Sequence, residues 1–291
     1  MSCKLDDVYH DANRIAVTAH RGFSGRFPEN TLPAFLAAVT LGVDLLEFDL
    51  RGTKDGVPIV LHDATFERTA DQPGTPADYT LEEIAAFEAS YWCGSHEAGR
   101  KLAEPALPGT RVPTFEQLLD AVGDDVGLNI QVYDTAPPIL ADICRLYRAY
   151  DLYERGYLTI NTYEEGRRVR EIDPDIQLCI LDRQGKMDIA ALDRLYAFGC
   201  RYVQPLRRDV TPDFCAAARE RGLRTNAFFG NTDEANRVLI SMGVQGILTD
   251  HPDILIATRQ AFEHPGASPA DSEKLTPANG TDDSPSHTHK E

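Results

Sequence analysis

Residues 15–63 read IAVTAHRGFSGRFPENTLPAFLAAVTLGVDLLEFDLRGTKDGVPIVLHD, and this stretch decides the fold. It contains three short apolar runs, at 15–19, 45–50 and 58–61. Runs of this length are typical of strands in a parallel sheet that helices cover on both faces. The segment after the first run predicts a helix with Thr31 as its cap and Pro33 in its first turn. Polar side chains then stand where the strands finish.

Two carboxylates and two histidines stand among these polar side chains. Glu47 and Asp49 are two residues apart in a strand, so they share a face with a rise of roughly 6–7 Å between them. Two carboxylates this close repel each other unless a cation lies between them, and oxygen ligands suit Mg²⁺ or Ca²⁺. His20 and His62 follow the first and third runs and can serve as acid and base. The pattern therefore predicts metal-assisted cleavage of a phosphate ester.

Each of these features is common when it occurs alone. A Glu-x-Asp pair is frequent on solvated strands, and a single histidine in an apolar run is more often structural. Here the two carboxylates lie inside an otherwise apolar strand, where an unpaired charge is costly. Taken together, the features favour a functional site.

The order of the motifs resembles the signature of the glycerophosphodiester phosphodiesterase family, whose members are TIM barrels. That order is His-Arg-Gly at 20–22, Pro-Glu-Asn-Thr at 28–31, Glu-x-Asp at 47–49, Thr-x-Asp-Gly at 53–56 and His-Asp at 62–63. The likeness continues with Arg-Thr at 68–69, Thr-Leu-Glu-Glu at 80–83, Arg-Val-Pro-Thr-Phe at 111–115 and Gly-Val-Gln-Gly-Ile-Leu-Thr-Asp at 243–250.

The resemblance implies a role for several residues and a reaction. The implied roles are His20 and His62 as the acid/base pair, Glu47 and Asp49 as metal ligands, Arg21 as a phosphate contact, and Glu29 as a supporting or metal-adjacent residue. In the implied reaction the neighbouring glycerol hydroxyl attacks the phosphorus, and water then opens the cyclic phosphate to give glycerol 3-phosphate and an alcohol. An intramolecular nucleophile avoids much of the entropic cost of a bimolecular attack.

One strand departs from the family pattern. Residues 128–134 read LNIQVYD, where the family has L-x-I-E-I-K, so Gln131 takes the position of a third carboxylate ligand and Tyr133 that of a lysine. An amide oxygen can coordinate a hard cation but adds no charge. Asp134 would lie on the opposite face of a regular strand and cannot replace the ligand.

This departure leaves three alternatives open. The chain is an active phosphodiesterase with a looser metal site, or it acts on another phosphoester with Tyr133 contacting the substrate. The third alternative is a barrel that binds a phosphorylated ligand without turnover. Because both histidines and the carboxylate pair are retained, we expect an enzyme.

Further strands are expected at 128–134, 157–161, 176–181, 202–205 and 225–229, which brings the number of predicted strands to eight. We therefore expect one (β/α)₈ barrel over residues 14–262, with an insert at 65–112 and a disordered tail at 263–291. An open doubly wound sheet would need a glycine-rich phosphate turn after its first strand, and residues 20–25 lack that spacing.

The composition of the chain restricts the kinds of partner that it can bind. The net charge of −17 disfavours nucleic acid and anionic membranes as partners. A phosphate substrate would therefore need a locally positive mouth, made by Arg21, the cation and arginines such as Arg183 or Arg207. No apolar run is long enough to span a bilayer and no signal peptide is recognisable, so we expect a cytoplasmic enzyme. The six cysteines lack metal-site spacing and are expected to be reduced.

Overall fold

The computed structural model describes residues 3–10, 14–95, 98–182 and 186–263. Strands and helices alternate along most of this length. The strands are β1 (Ala16–His20), β2 (Leu45–Gly52), β3 (Pro58–Val60), β4 (Trp92–Cys93), β5 (Arg100–Lys101), β6 (Gly127–Val132), β7 (Gly156–Ile160), β8 (Leu178–Ile180), β9 (Tyr202–Val203), β10 (Arg224–Phe228) and β11 (Gly246–Thr249). The α-helices are α1 (Leu5–Val8), α2 (Leu32–Leu41), α3 (Leu81–Ile84), α4 (Phe115–Val122), α5 (Pro137–Ala149), α6 (Tyr163–Ile172), α7 (Ile189–Phe198), α8 (Pro212–Glu220), α9 (Asp233–Ser241) and α10 (Pro252–Glu263).

Eight parallel strands form the barrel. Their spatial order is β8-β7-β6-β2-β1-β11-β10-β9, and every neighbouring pair in this order is parallel. The two end strands, β8 and β9, lie next to each other, so the sheet curls round on itself. Each barrel strand leads to one of the helices α2 and α4 to α10 before the next barrel strand or the end of the described chain. The chain is a TIM barrel, as the sequence predicts.

The prediction that residues 58–61 form one of the eight barrel strands is wrong. The run at 58–61 becomes β3, which pairs antiparallel with the end of β2 and lies outside the barrel. The connection, residues 53–57, turns at Gly56 with a φ of 86°. A parallel return needs a crossover of about a dozen residues or more, so a connection this short permits only a hairpin. The eighth parallel strand is β11, which pairs with both β1 and β10.

Alternation along β2 separates the core from the site. Phe48 packs against Phe35 of α2 and Phe115 of α4, with ring centroids 5.9 and 5.8 Å away. Its neighbours Glu47 and Asp49 therefore face the barrel interior, because successive side chains leave opposite faces of a strand. The apolar layer between sheet and helices thereby fixes where the two carboxylates point.

The barrel is closed at the end where its strands begin. Leu5 and Tyr9, in and just after α1, pack there with Tyr157 and Tyr202, whose rings stack at 4.2 Å. The opposite end, where the strands finish, is open and holds a large cavity. Functional groups in this fold lie at that end.

The insert after β3 forms a small layer of its own. It contains a 3₁₀ turn at Pro76–Asp78, the four-residue helix α3 and the β4–β5 hairpin, and Ile59, Phe66 and Ile84 form part of its apolar cluster. None of the described helices is long and apolar enough to cross a bilayer. All six cysteines are free. The tail predicted to be disordered lies, from residue 264 onward, outside the described residues, as do His96 and Arg183.

Candidate active site

A cavity of 870 Å³ opens where the barrel strands end, and it collects most of the predicted site residues. His20, Arg21, His62, Gln131 and Tyr133 all line it. They come from the end of β1 and the residue after it, from the segment after β3, and from β6 and the residue that follows it. Residues that are far apart in the chain therefore meet around one space.

The His20 ring is held by a carboxylate from the other end of the chain. Its Nδ1 lies 2.7 Å from Oδ1 of Asp250, and its Nε2 lies 3.9 Å from Oε2 of Glu47. Burial and the charge of Arg21 lower the pKa of His20, but Glu47 and Asp250 outweigh them, so the net pKa is raised. Despite its burial, Asp250 has a lowered pKa because His20 lies beside it. The protonated form of His20 is thus favoured.

Asp250 is itself held by hydrogen bonds from two loop segments, one after β1 and one after β10. The hydroxyl of Ser24 donates to its Oδ1 at 2.9 Å, and Nδ2 of Asn231 donates to its Oδ2 at 2.7 Å. A carboxylate that is oriented in this way fixes the tautomer and the direction of the imidazole that it contacts. The Nε2 edge of His20 is therefore directed away from Asp250.

His62 is oriented in the same manner by its neighbour in the chain. Its Nδ1 lies 2.7 Å from Oδ1 of Asp63, and Nε and Nη2 of Arg68 donate to Asp63 at 2.7 and 2.9 Å. Burial raises the pKa of Asp63, but the hydrogen bonds from His62 and Arg68 hold it well below its ordinary value. The Tyr133 ring meets the His62 ring edge-on at 5.3 Å. In both histidines, therefore, Nδ1 lies within hydrogen-bond distance of a carboxylate oxygen.

Glu29 joins two arginines beneath the site. Arg21 donates to its Oε1 at 2.8 Å, and Arg68 donates to Oε2 and Oε1 at 2.7 Å each. Burial alone would raise the pKa of Glu29, but the two guanidinium groups lower it to about 2. Because both carboxylate oxygens accept hydrogen bonds from guanidinium groups, the geometry favours the supporting role of Glu29 over the metal-adjacent one.

Glu47 and Asp49 are buried beside His20 and Arg21 and are not among the residues that line the cavity. Oδ2 of Asp49 accepts a hydrogen bond from Nδ2 of Asn30 at 2.8 Å and lies 3.3 Å from Nε of Arg21. Oε2 of Glu47 accepts one from the backbone N–H of Arg21 at 3.2 Å. Burial, followed by the charge of Asp49, raises the pKa of Glu47 to about 7. Two carboxylates that destabilise each other are suited to a bound cation.

Two buried amides beside these carboxylates are incompletely satisfied. Gln131 stands next to Asp49 in the β2–β6 register, and its Nε2 has no hydrogen-bond partner among the described residues. Oδ1 of Asn30 likewise has none there. In the part of the chain that the structure describes, no three His, Cys, Asp or Glu side chains form a metal-binding cluster. The oxygens of Glu47, Asp49 and Gln131 nevertheless fit a hard cation, with less negative charge than three carboxylates would give.

Tyr133 is backed by a positive charge. The guanidinium of Arg51 lies 4.6 Å from the centre of its ring, within the range of a cation–π contact. Arg51 also donates to the carbonyl oxygen of His62, at 2.9 Å from Nε and 2.7 Å from Nη2. The guanidinium of Arg51 thus lies beside Tyr133, the residue that stands where the family pattern has a lysine.

Comparison with known proteins agrees with this geometry. The model of the glycerophosphoryl diester phosphodiesterase family matches residues 20–254. The chain belongs to this family. A glycerophosphodiester phosphodiesterase from Caldanaerobacter subterraneus is 30% identical over 82% of the chain and 96% of its own length. Family members are phosphoric diester hydrolases.

Solved structures show the same fold at lower identity. A glycerophosphodiester phosphodiesterase from Agrobacterium tumefaciens has a TM-score of 0.69 and 22% identity, covering 84% of this chain and 99% of its own. An Oleispira antarctica phosphodiesterase, solved with the product sn-glycerol-3-phosphate, has a TM-score of 0.70 and 20% identity, covering 85% and 97%. Likeness at this level establishes the barrel.

Several residues of this family member were not assigned a role from the sequence. Asp250 and Asp63 stand in quoted motifs, and Arg68 in a third, but the contacts that connect them to the histidines are visible only in the fold. Nothing in the pattern pointed to Arg51. Arg207, expected at the mouth, does not line the main cavity, whereas its neighbour Arg208 does.

Proposed function

We propose that the chain hydrolyses glycerophosphodiesters to glycerol 3-phosphate and an alcohol, with a divalent cation and with His20 and His62 as the acid/base pair. The observation that carries this proposal is the pair of carboxylate-oriented histidines on one cavity, next to two buried carboxylates. Membership of the family supports the substrate class. The sn-glycerol-3-phosphate bound by the Oleispira relative supports the product.

The cation of this proposal is Mg²⁺ or Ca²⁺, and Glu47, Asp49 and Gln131 would hold it. When bound, it would neutralise charge on the phosphoryl oxygens. The raised pKa of Glu47 supports this assignment, because a carboxylate that resists ionisation beside Asp49 gains most from a nearby positive charge. Arg21 would contact the phosphate from the cavity wall, where Glu29 and Asp49 hold its guanidinium.

The two histidines would divide the proton transfers by their surroundings. His62 would accept the proton of the glycerol hydroxyl beside the ester as that oxygen attacks phosphorus. His20, whose pKa is raised, would donate a proton to the leaving oxygen as its bond to phosphorus breaks. Water would then open the cyclic phosphate with the two roles exchanged. Tyr133, on the cavity wall beside His62, would contact the phosphoryl group as an uncharged donor.

A choline-release assay on glycerophosphocholine tests this proposal. Wild type is compared with His20→Asn and His62→Asn, and with His10→Asn as the matched control because His10 is exposed and lies at the closed end of the barrel. We expect each active-site variant to lose at least about a hundredfold in kcat/KM, the usual contribution of a general acid or base. Full activity in either variant, or equal losses in all three, would refute the assigned roles.

A further inference from the structure

A second cavity adjoins the first at the mouth of the barrel. It has a volume of 630 Å³ and lies partly under the insert, because Ser95 and Ala98 from the β4–β5 connection line it. The two cavities share four lining residues, which are Leu206, Arg208, Phe228 and Phe229. The mouth is therefore one groove with two chambers.

The shared wall places the second chamber next to His20. Phe228 meets the His20 ring edge-on, with centroids 5.1 Å apart, and it lines both chambers. In the proposed reaction His20 protonates the leaving oxygen. An alcohol that departs past His20 therefore extends along Phe228 toward the second chamber.

Besides Arg21, three cationic side chains line this groove. Lys186 and Arg208 line the first chamber, and Arg207 and Arg208 line the second. Within the described residues these three side chains have no ion-pair partner, in contrast to Arg21, which contacts Glu29 and Asp49.

The acidic residues of the groove do not cancel these charges. Asp250 lines the first chamber but is occupied by His20, Ser24 and Asn231. Asp209 is the other carboxylate on the wall of the two chambers, as far as the described residues show. The mouth thus carries local positive charge on a chain whose net charge is −17.

We propose that the second chamber binds a phosphate carried by the leaving alcohol. This inference rests on the proposed function, and it makes the preferred substrate a glycerophosphodiester whose alcohol bears a second phosphate. Arginine suits phosphate because its planar guanidinium can form two parallel hydrogen bonds with the anion. The aromatic wall alone would also suit a quaternary ammonium, but Arg207 and Arg208 beside it disfavour a cation.

The test compares three substrates that differ in the charge of the alcohol. They are glycerophosphoinositol 4-phosphate, glycerophosphoglycerol and glycerophosphocholine, with anionic, neutral and cationic alcohols. Wild type is compared with Arg208→Gln and with Arg201→Gln, which removes the same charge from an exposed site at the closed end of the barrel, beside Lys4 and Asp6. We expect Arg208→Gln to lower the anionic-to-neutral ratio of kcat/KM about fivefold, and Arg201→Gln to leave that ratio unchanged.

The outcomes separate this inference from the proposed function. If wild type cleaves the neutral and cationic esters as well as the anionic one, or if both variants change the ratio equally, the inference is wrong while the proposed function stands. If wild type cleaves none, the proposed function fails, and binding of inositol 4-phosphate is measured by calorimetry. Binding that Arg208→Gln weakens and Arg201→Gln does not would support the phosphate chamber, and equal binding by all three proteins would overturn it.

Discussion

Replacing each of two buried glutamates of the site by glutamine should change the stability of the protein, and the two changes should have opposite signs. Glu29 and Glu47 are both almost fully buried, yet the pKa of Glu29 is lowered to about 2 and that of Glu47 is raised to about 7. Arg21 and Arg68 stabilise the Glu29 carboxylate, whereas burial and Asp49 destabilise the Glu47 carboxylate. Glu47→Gln should therefore stabilise the metal-free protein, and Glu29→Gln should destabilise it.

The magnitudes follow from the displacement of each pKa from 4.5, the ordinary value for glutamate. Each displacement corresponds to about 3 kcal/mol at about 1.4 kcal/mol per pH unit. Glu29 contributes stability above its unfolded pKa, and this is lost as pH falls toward about 2. The pKa of Glu47 is raised in the folded protein, so its contribution to stability is present below pH 4.5 and is lost as pH rises through about 7.

Urea denaturation in EDTA, at about pH 5 and about pH 8, measures both effects. At the higher pH Glu47→Gln should exceed wild type by up to about 3 kcal/mol, and most of this gain should vanish at the lower pH. Glu29→Gln, the matched control, should lose about 3 kcal/mol at the higher pH. Saturating Ca²⁺ should then stabilise wild type more than Glu47→Gln, since only binding to the folded state adds stability. If the difference in unfolding free energy between Glu47→Gln and wild type were the same at both pH values, the reasoning would be refuted.

Three further predictions concern single side chains. Asp250→Asn should lower the pKa of His20, so the alkaline limb of the kcat/KM profile should move to lower pH; an unmoved limb would show that Asp250 does not control this proton. Gln131→Glu should tighten Ca²⁺ binding about tenfold in calorimetry relative to the insert variant Gln72→Glu, and equal affinities would remove Gln131 from the ligand set. Arg68→Met should cost about 3 kcal/mol in urea denaturation because it leaves buried Glu29 with one cation, and a neutral effect would contradict that bridge.

The local part of the site could be predicted from sequence. Glu47 and Asp49 share a face because of strand alternation, and His20 ends an apolar run, so their convergence follows from the rules of a parallel barrel. The fold class followed from the same alternation of strands and helices. The sheet register then places His20 opposite Glu47 and Asp49 opposite Gln131.

The remaining part depended on contacts between distant segments. His20 and Asp250 are 230 positions apart in the chain, and their hydrogen bond exists only because β11 closes against β1. The contact of Arg51 with Tyr133 requires the exact path of the chain after β6, which no periodicity encodes. The error at β3 has a different origin, because its apolar run is real and the short connection from β2 sets its direction.

Phosphorus NMR of glycerophosphocholine and of glycerophosphoglycerol, each with the metal-stripped protein, tests the central claim most directly. In EDTA the diester resonance should persist, and addition of Mg²⁺ or Ca²⁺ should convert it to a glycerol phosphate monoester. The same spectra follow diester and monoester together, so they report the reaction without a coupled enzyme. Survival of both diesters with either cation in folded protein, or equal turnover in EDTA, would contradict a cation-assisted phosphodiesterase.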